Sequence, residues 1–449
     1  MRGNRKWFAA LLGLVIILTV GCSGGSKSGT DAPASSGGTE AKKSNEPVVI
    51  NIWGGYPEMD VLYKKAAEDF KKEHPNVTVN VLSMNLRDYE KKLVAALQSD
   101  TAAEVITIGT TFLSQFIDAG LIDEAPPEVV AMVQKAYGPF DIANASYKGK
   151  LYGVPQLKGQ SALFYNKDHF KEAGLDPEKP PQTMDEIIEY AQRLAKYDAN
   201  GNLTRAGISL RLFGGGGGVT EKFWIIMEQY GGSIVKQTKD GKYHNGYNND
   251  AGRKTLQMHV DLVHKYKADD PKLKRDAEAF ELGVASMFFR ESWVVGDIAK
   301  KAPNLNYGSV RMPAAAISLN QNIFVPKNAK NKDVAWEFVQ FLVKPEYQKF
   351  MLDEIGWLPL RSKDVNYDDI IAKKPGFKGF IVNDPSYRYF NFPQVTAFDE
   401  ILTKMAGRLE KAYADKSLVD NPAGIAKAIQ EMADETDAIL KQNGLYGTD

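Results

Sequence analysis

Residues 47–53 read PVVINIW, a Val- and Ile-rich run that ends in an aromatic residue. β-Branched side chains are stiff at χ1 and fit a pleated sheet better than a helix, so the run predicts a buried strand. Behind it Leu62, Ala66 and Phe70 recur at helical spacing, which predicts an amphipathic helix over residues 59–73. NVTVNVL at 76–82 alternates as a strand does, residues 87–99 predict a second helix, and EVITIG at 104–109 is a strand again. Strands alternating with helices imply βαβ units and an α/β fold with a mostly parallel sheet flanked by helices. Ligands of such sheets sit beyond the carboxyl ends of the strands. That rule draws attention to WGGY at 53–56 and GTT at 109–111.

The alternation restarts after KGKLYGVPQ at 148–156. ALFYNKDHFKEAGL at 162–175 predicts a strand running into a helix, and Thr183 with Glu186 forms a capping box that opens a helix over 184–196. Five consecutive glycines at 214–218 predict a loop, a flexible edge of a cleft, because such a run weakens any regular element. VASMFFRESW at 284–293 reads as a buried strand leading to a turn, and NIFVPK at 322–327 as another strand. Ala335, Phe338, Val339 and Leu342 form a core-facing helical stripe, and the last fifty residues are helical. A length of 449 residues with 43% hydrophobic side chains suits two domains, each with its own core.

The amino-terminal stretch is of another kind. Arg2, Arg5 and Lys6 precede an apolar run over 7–20, too short for a comfortable transmembrane span. The chain's one cysteine, Cys22, follows it directly, so no disulfide within the chain is available. LTVGC at 18–22 resembles the lipobox of bacterial lipoproteins, in which the signal is cut before a cysteine that is then acylated. This implies a signal peptide over 1–21, then a lipidated Cys22 and a flexible Gly/Ser-rich tether over 22–46 that cannot bury enough apolar surface to fold. The alternative is a short buried helix with an incidental cysteine. Acidic and basic residues balance at 56 each, and the first 21 residues carry three basic and no acidic ones. Nothing in that balance resembles the footprint of a nucleic-acid-binding protein.

Six patterns in order resemble one family: INIWGGYPE, KGKLYGVPQLKGQSALFYNKDHFKEAGLDP, FELGVASMFFRESW, KDVAWEFVQFLVKPEYQ, GWLPLRS and FPQVTAF. They are similar to the type-1 extracellular solute-binding proteins of bacterial ABC importers, relatives of the maltodextrin-binding proteins. The resemblance spans residues 47 to about 445 and implies a two-lobed, periplasmic-binding-protein-like fold of type II. Lobe one would hold residues 47–155 and 315–356, and lobe two 156–314 and 357–449. The lobes would close over a sugar in the cleft between them. The family implies a monomer that delivers its sugar to the permease subunits, anchored through lipid on the outer face of the cell membrane. A Gram-positive host is the simpler expectation.

A sugar site needs aromatic rings for the C–H faces and carboxylate, amide or hydroxyl groups for the hydroxyl edges. The resemblance places Trp53 and Tyr56 in a cleft loop, Trp293 on an aromatic sugar platform with Glu291 beside it, and Trp357 at the last crossover. Trp224 aligns with a helix-borne Trp packed below the cleft. Asn85 and Thr110 complete the expected ligand contacts. Trp336, in AWEF, reads as packing. Two positions depart from the maltodextrin binders: Glu221 and Asp399 stand where those proteins carry stacking aromatics. The exchange of rings for carboxylates implies a smaller or more polar sugar, and leaves a basic ligand open.

No H-E-x-x-H, G-x-S-x-G or P-loop lysine pattern occurs, and His259 and His264 are five apart, off a common helical face. No catalysis, cofactor or metal is therefore expected. Residues 198–202, DANGN, begin like a calcium loop but lack its sixth-position glycine and twelfth-position acid, so they read as a turn between helix and strand. A non-sugar receptor, an adhesin, or a sensor subunit without transport would use the same lobes.

Overall fold

The computed structural model describes residues 46–214, 216–274, 276–360, 366–381, 384 and 386–448. The leader over 1–21, Cys22 and the tether up to residue 45 lie outside the described residues, as do Gly215 and the end of GWLPLRS.

The first elements are β1 (Val48–Gly54), α1 (Asp60–Glu73), β2 (Val77–Ser83), α2 (Leu86–Gln98), β3 (Val105–Ile108) and α3 (Thr110–Asp118). β1 lies between β2 and β3 and is parallel to both, with Ile52 opposite Val81 and Val105. α1 buries Leu62, Tyr63, Ala66 and Phe70, the stripe read from the spacing, and begins at Asp60 because Pro57 opens a separate 3-10 turn. Each such fully buried Leu or Phe contributes about 1.5–3 kcal/mol relative to exposure.

Two long strands follow, β4 (Val154–Asn166) and, after β5 (Met287–Glu291) and β6 (Tyr307–Arg311), β7 (Ala315–Phe324). β7 pairs antiparallel with β3 and with β4, and β4 also carries β5, β6 and the short β8 (Leu358–Pro359) antiparallel. β9 (Arg388–Phe390) is parallel to β7. The parallel pairings are thus β2-β1-β3 and β7-β9, while the antiparallel pairings collect on β4 and β7.

These two strands run through two cores. Val154 and Leu157 pack with Ile50, Phe338 and Leu342, whereas Leu163 and Tyr165 pack with Ile187, Phe223 and Leu409. β7 does the same, with Ile323 in the first core and Ile317 in the second. Every residue of β4 is buried except half-buried Lys158. At the adjoining Gly159 a Cβ would stand 2.8 Å from the Leu319 carbonyl oxygen, so only glycine admits this strand approach.

Three local expectations change. The helix expected over 184–196 is Met184–Leu194, opened by the capping box of Thr183 and Glu186 and ended where Ala195 turns extended. Of the glycine run, Gly217 and Gly218 are not loop but the first turn of α4 (Gly217–Met227). A Cβ on Gly218 would stand 2.7 Å from Arg211 Nη2, and one on Gly217 3.2 Å from Leu402 Cβ and 3.3 Å from Arg87 Nη2, so close packing sets these glycines. Residues 198–202 join two short strands, Lys196–Tyr197 and Leu203–Arg205, rather than helix to strand. There Asp198 Oδ1 accepts the amides of Asn200 and Asn202 at 2.9 and 2.8 Å, and its carboxyl is held below the usual range chiefly by the Asn202 side chain. Two helices close the chain, α5 (Phe398–Ala414) and Pro422–Gln442. Among the described residues no helix is long and apolar enough to cross a membrane.

Candidate functional site

A cavity of about 400 Å³ opens beyond the carboxyl ends of β1 and β3. Its wall takes Tyr56 from the loop after β1, Arg87 and Glu90 from α2, and Thr110 and Thr111 from the start of α3. Asn320 and Gln321 of β7 and Glu221 of α4 also face it. Phe392, Phe398 and Asp399 close the far side.

Tyr56 is held on two sides. Its hydroxyl accepts a hydrogen bond from Gln321 Nε2 at 3.1 Å, and its ring leans on Trp357 with centroids 5.6 Å apart. Trp357 in turn donates its indole N–H to Glu58 Oε1 at 3.3 Å. Burial, then the charges of Glu58, Glu221, Glu291 and Glu90, push the Tyr56 phenol well above its ordinary range, so it stays a neutral donor. Thr110 Oγ1 donates to the Asn144 carbonyl at 2.6 Å and accepts from Asn322 Nδ2 at 3.0 Å. Asn320 Nδ2 donates to Asp141 at 2.8 Å, and burial raises that carboxyl despite this bond.

Charged groups form two sets. Arg87 Nη1 lies 2.7 Å from Glu90 and 3.5 Å from Asp399, linking α2 to α5. Burial raises the Glu90 carboxyl, Arg87 opposes the rise and Asp399 adds to it. The second set is buried. Lys222 lies 3.1 Å from Glu221 and 2.6 Å from Glu291, and Arg290 lies 3.2 Å from both Glu291 and Asp276. Burial opposes charge on Glu291, but Lys222 and Arg290 outweigh it and hold the carboxyl below its usual range. Glu221 therefore stands at the end of an ion chain, with its remaining acceptor capacity toward the cavity.

Of the residues singled out in the sequence, Tyr56, Gly109, Thr110, Thr111, Glu221 and Asp399 line this cavity together. The others stand around it. Trp53 is half-buried beneath the Lys92 ammonium, 4.2 Å from the ring centroid. Asn85 is exposed and precedes α2, where its carbonyl accepts the Tyr89 amide. Trp224 is 2% exposed, donates to Glu228 Oε1 at 2.8 Å and stacks on Phe392 with centroids 5.6 Å apart, which places it directly behind the wall. Glu291 is buried in the ion chain, and Trp357 is buried behind Tyr56. Trp293 borders a neighbouring chamber, with the Arg290 guanidinium 5.2 Å from its ring. Trp336 packs in the first core.

Arg87, Glu90, Asn320, Gln321, Phe392 and Phe398 line the cavity without having been singled out. Arg87 and Glu90 are three apart on the polar face of an amphipathic helix, and SLNQN at 318–322 puts amides inside a buried strand, an anomaly that was readable. Among the described residues no group of three or more His, Cys, Asp or Glu is placed to hold a metal ion.

Residues 55–349 match the family model described as bacterial extracellular solute-binding protein. Among curated proteins, the galactooligosaccharide-binding protein of Bacillus subtilis is 24% identical over 400 residues, covering 84% of this chain and 88% of that protein. The sn-glycerol-3-phosphate-binding periplasmic protein of Pectobacterium atrosepticum is 27% identical, covering 69% and 72%. Among solved structures, a solute-binding protein of Thermotoga lettingae bound with α-D-tagatose superposes with a TM-score of 0.73 at 19% identity, covering 88% of this chain and all of that one. A substrate-binding protein of Listeria monocytogenes in complex with cycloalternan gives 0.72 at 19% identity, covering 89% and 100%. The likeness establishes a shared α/β fold, two-lobed and of the type II periplasmic-binding-protein kind.

Proposed function

The chain belongs to the bacterial extracellular solute-binding proteins, and from that premise we propose that it captures a mono- or oligosaccharide for an ABC importer. The cavity carries this reading. It offers apolar faces in Phe392 and Phe398 and hydroxyl-edge partners in Glu221, Asn320, Thr111 and Tyr56, the two kinds of contact a sugar needs. Its walls come from two sides, α2 and α3, which pack with Ile106 and Ile108 of β3, on one and α4 and α5 of the second core on the other. β4 and β7 pass between the cores and serve as the hinge. A ligand that touches both walls favours the closed arrangement by its differential contacts there. Lobe one holds about residues 47–155 and 315–356, and lobe two about 156–314 and 357–449, with the boundary strands reaching a few residues into the other core at Leu157 and Ile317.

The similar galactooligosaccharide-binding protein, and the similar folds bound with tagatose and with cycloalternan, support a saccharide cargo. The pairs Arg87–Glu90 and Glu221–Lys222 favour a polar sugar over a long maltodextrin, because charged acceptors bind hydroxyls strongly and offer no stacking face. The protein works as a monomer, hands its ligand to permease subunits without chemical conversion, and is held on the outer face of the membrane by a lipid on Cys22, with residues 23–46 as the tether. The test is a thermal-shift screen across neutral sugars, amino acids and polyols. A ligand at one hundred times its Kd stabilises the folded form by about 2.7 kcal/mol. A shift with one saccharide class supports the reading, and a shift only with a non-sugar solute refutes it.

A further inference from the structure

The wall that α2 and α3 give the cavity changes character along its length. Arg87 holds Oε2 of Glu90 at 2.7 Å and leaves Oε1 for a ligand hydroxyl. About one helical turn further along α2 stands Val94, and there the lining turns apolar. Ile108, the last residue of β3, and Phe112, in the first turn of α3, complete a recess with it. Val94 and Phe112 pack against the core of Ile106, Leu113 and Phe116, yet both stay half-buried and line the cavity. Leu402 of α5 lines it too, close to Arg87, since a Cβ on Gly217 would meet both at 3.2 and 3.3 Å.

The side chains of Val94, Ile108, Phe112 and Leu402 carry no hydrogen-bonding atom. A sugar hydroxyl placed among them would give up water without gaining a partner. The groups that answer hydroxyls belong to other parts of the wall: Tyr56 after β1, Asn320 and Gln321 on β7, and Glu221 on α4. Glu90 and Thr111 mark the border between the two, and Gln115 is exposed, with its amide in reach of solvent. Apolar surface left open inside a concave, partly polar site is surface for a ligand to cover.

We propose that this recess receives an apolar aglycone carried by the saccharide, an aryl group rather than a further sugar, while the sugar hydroxyls meet Glu90 and the polar residues of the same cavity. The inference rests on the saccharide reading and narrows it to glycosides with an apolar aglycone. A flat ring offers apolar surface to Val94, Ile108 and Leu402 and an aromatic partner to Phe112, and removing that surface from water favours binding in proportion to the area buried.

The test is calorimetric titration of the purified protein with the phenyl glycoside, the methyl glycoside and the 1,4-linked disaccharide of glucose, galactose and mannose. At least one phenyl glycoside is expected to bind about tenfold or more tighter than its methyl glycoside and its disaccharide, with the more negative heat-capacity change. Phe112→Ala and Val94→Thr should each cut that preference to about threefold or less and leave the methyl glycoside within about threefold. Val94→Thr changes little volume and keeps the test decisive where Phe112→Ala disturbs the core beneath. Phenyl and methyl glycosides binding alike, a disaccharide binding as tightly as the phenyl glycoside, or a preference that survives both substitutions overturns the inference and leaves saccharide capture standing. Silence of every phenyl glycoside while a free saccharide raises the melting temperature does the same. Silence toward every glycoside and every saccharide of the thermal screen overturns both.

Discussion

Arg87 on α2 and Asp399 on α5 are 312 positions apart and meet at 3.5 Å across the mouth of the cavity. Both side chains are about half exposed or more, so the pair is worth roughly 0–1 kcal/mol and contributes little to folding. Its expected effect is on closure. Asp399→Ala should leave the unfolding midpoint almost unchanged and weaken ligand binding by no more than about fivefold, the equivalent of 1 kcal/mol. The weakening should shrink in high salt, because exposed pairs are screened. Titration at two ionic strengths reads this directly, and a loss of affinity insensitive to salt would show that Asp399 contacts ligand itself.

Trp224 supports the aromatic wall from behind. It packs against Phe390, Phe392 and Phe398 and satisfies Glu228, which also binds Arg388 at 2.6 Å. Trp224→Ala should cost about 3–5 kcal/mol, as large aromatic deletions in cores do. Trp224→Phe should cost less but leave Glu228 one donor short. Chemical denaturation measures both, and a loss under 1 kcal/mol for Trp224→Ala would contradict the packing described.

The glycines at the start of α4 are expected to behave as packing positions, not as a hinge. Gly218→Ala would force the Arg211 guanidinium aside at the expense of its 3.3 Å pair with Asp276, and should destabilise by about 0.5–1 kcal/mol. If flexibility were their role, the same substitution would stabilise slightly by reducing the freedom of the unfolded chain. The sign of the change in denaturation midpoint separates the two.

Asp269 supplies a pH dependence. It is buried, accepts the Leu210 amide at 2.9 Å, and burial pushes its carboxyl up to about 7. The native protein therefore keeps this proton where the unfolded chain has lost it, so its contribution to stability falls as pH rises from about 4 to about 7. Three pKa units correspond to on the order of 4 kcal/mol over that window. His169 and His259, both lowered to about 4 chiefly by burial, act in the opposite sense. Comparison with Asp269→Asn isolates the aspartate: the variant should gain stability relative to the parent between pH 4 and 7, and parallel pH profiles would contradict the assignment.

The opening strand–helix alternation was readable because each element has a clean period, 2.0 in NVTVNVL and 3.6 at Leu62, Ala66 and Phe70. The antiparallel run of β4 and β7 was not, since a strand buried on both faces has no alternation to show its partners. The α4 glycines misled for a related reason: composition signals flexibility, whereas the approach of Arg87 and Arg211 is a contact across the fold. Tyr56, Thr110, Glu221 and Asp399, reached through the strand-end rule or the resemblance, line one cavity, but Arg87 and Gln321 act through partners 312 and 265 positions away, Asp399 and Tyr56, which no local pattern encodes.

The most direct measurement is calorimetric titration of the protein with the saccharide that gives the largest thermal shift, repeated on Glu221→Ala. The account predicts one saturable site per chain in the parent and at least a tenfold weaker one in the variant, whose fold is kept by the remaining Lys222–Glu291 pair. Unchanged affinity in Glu221→Ala would place the ligand outside this cavity and contradict the account.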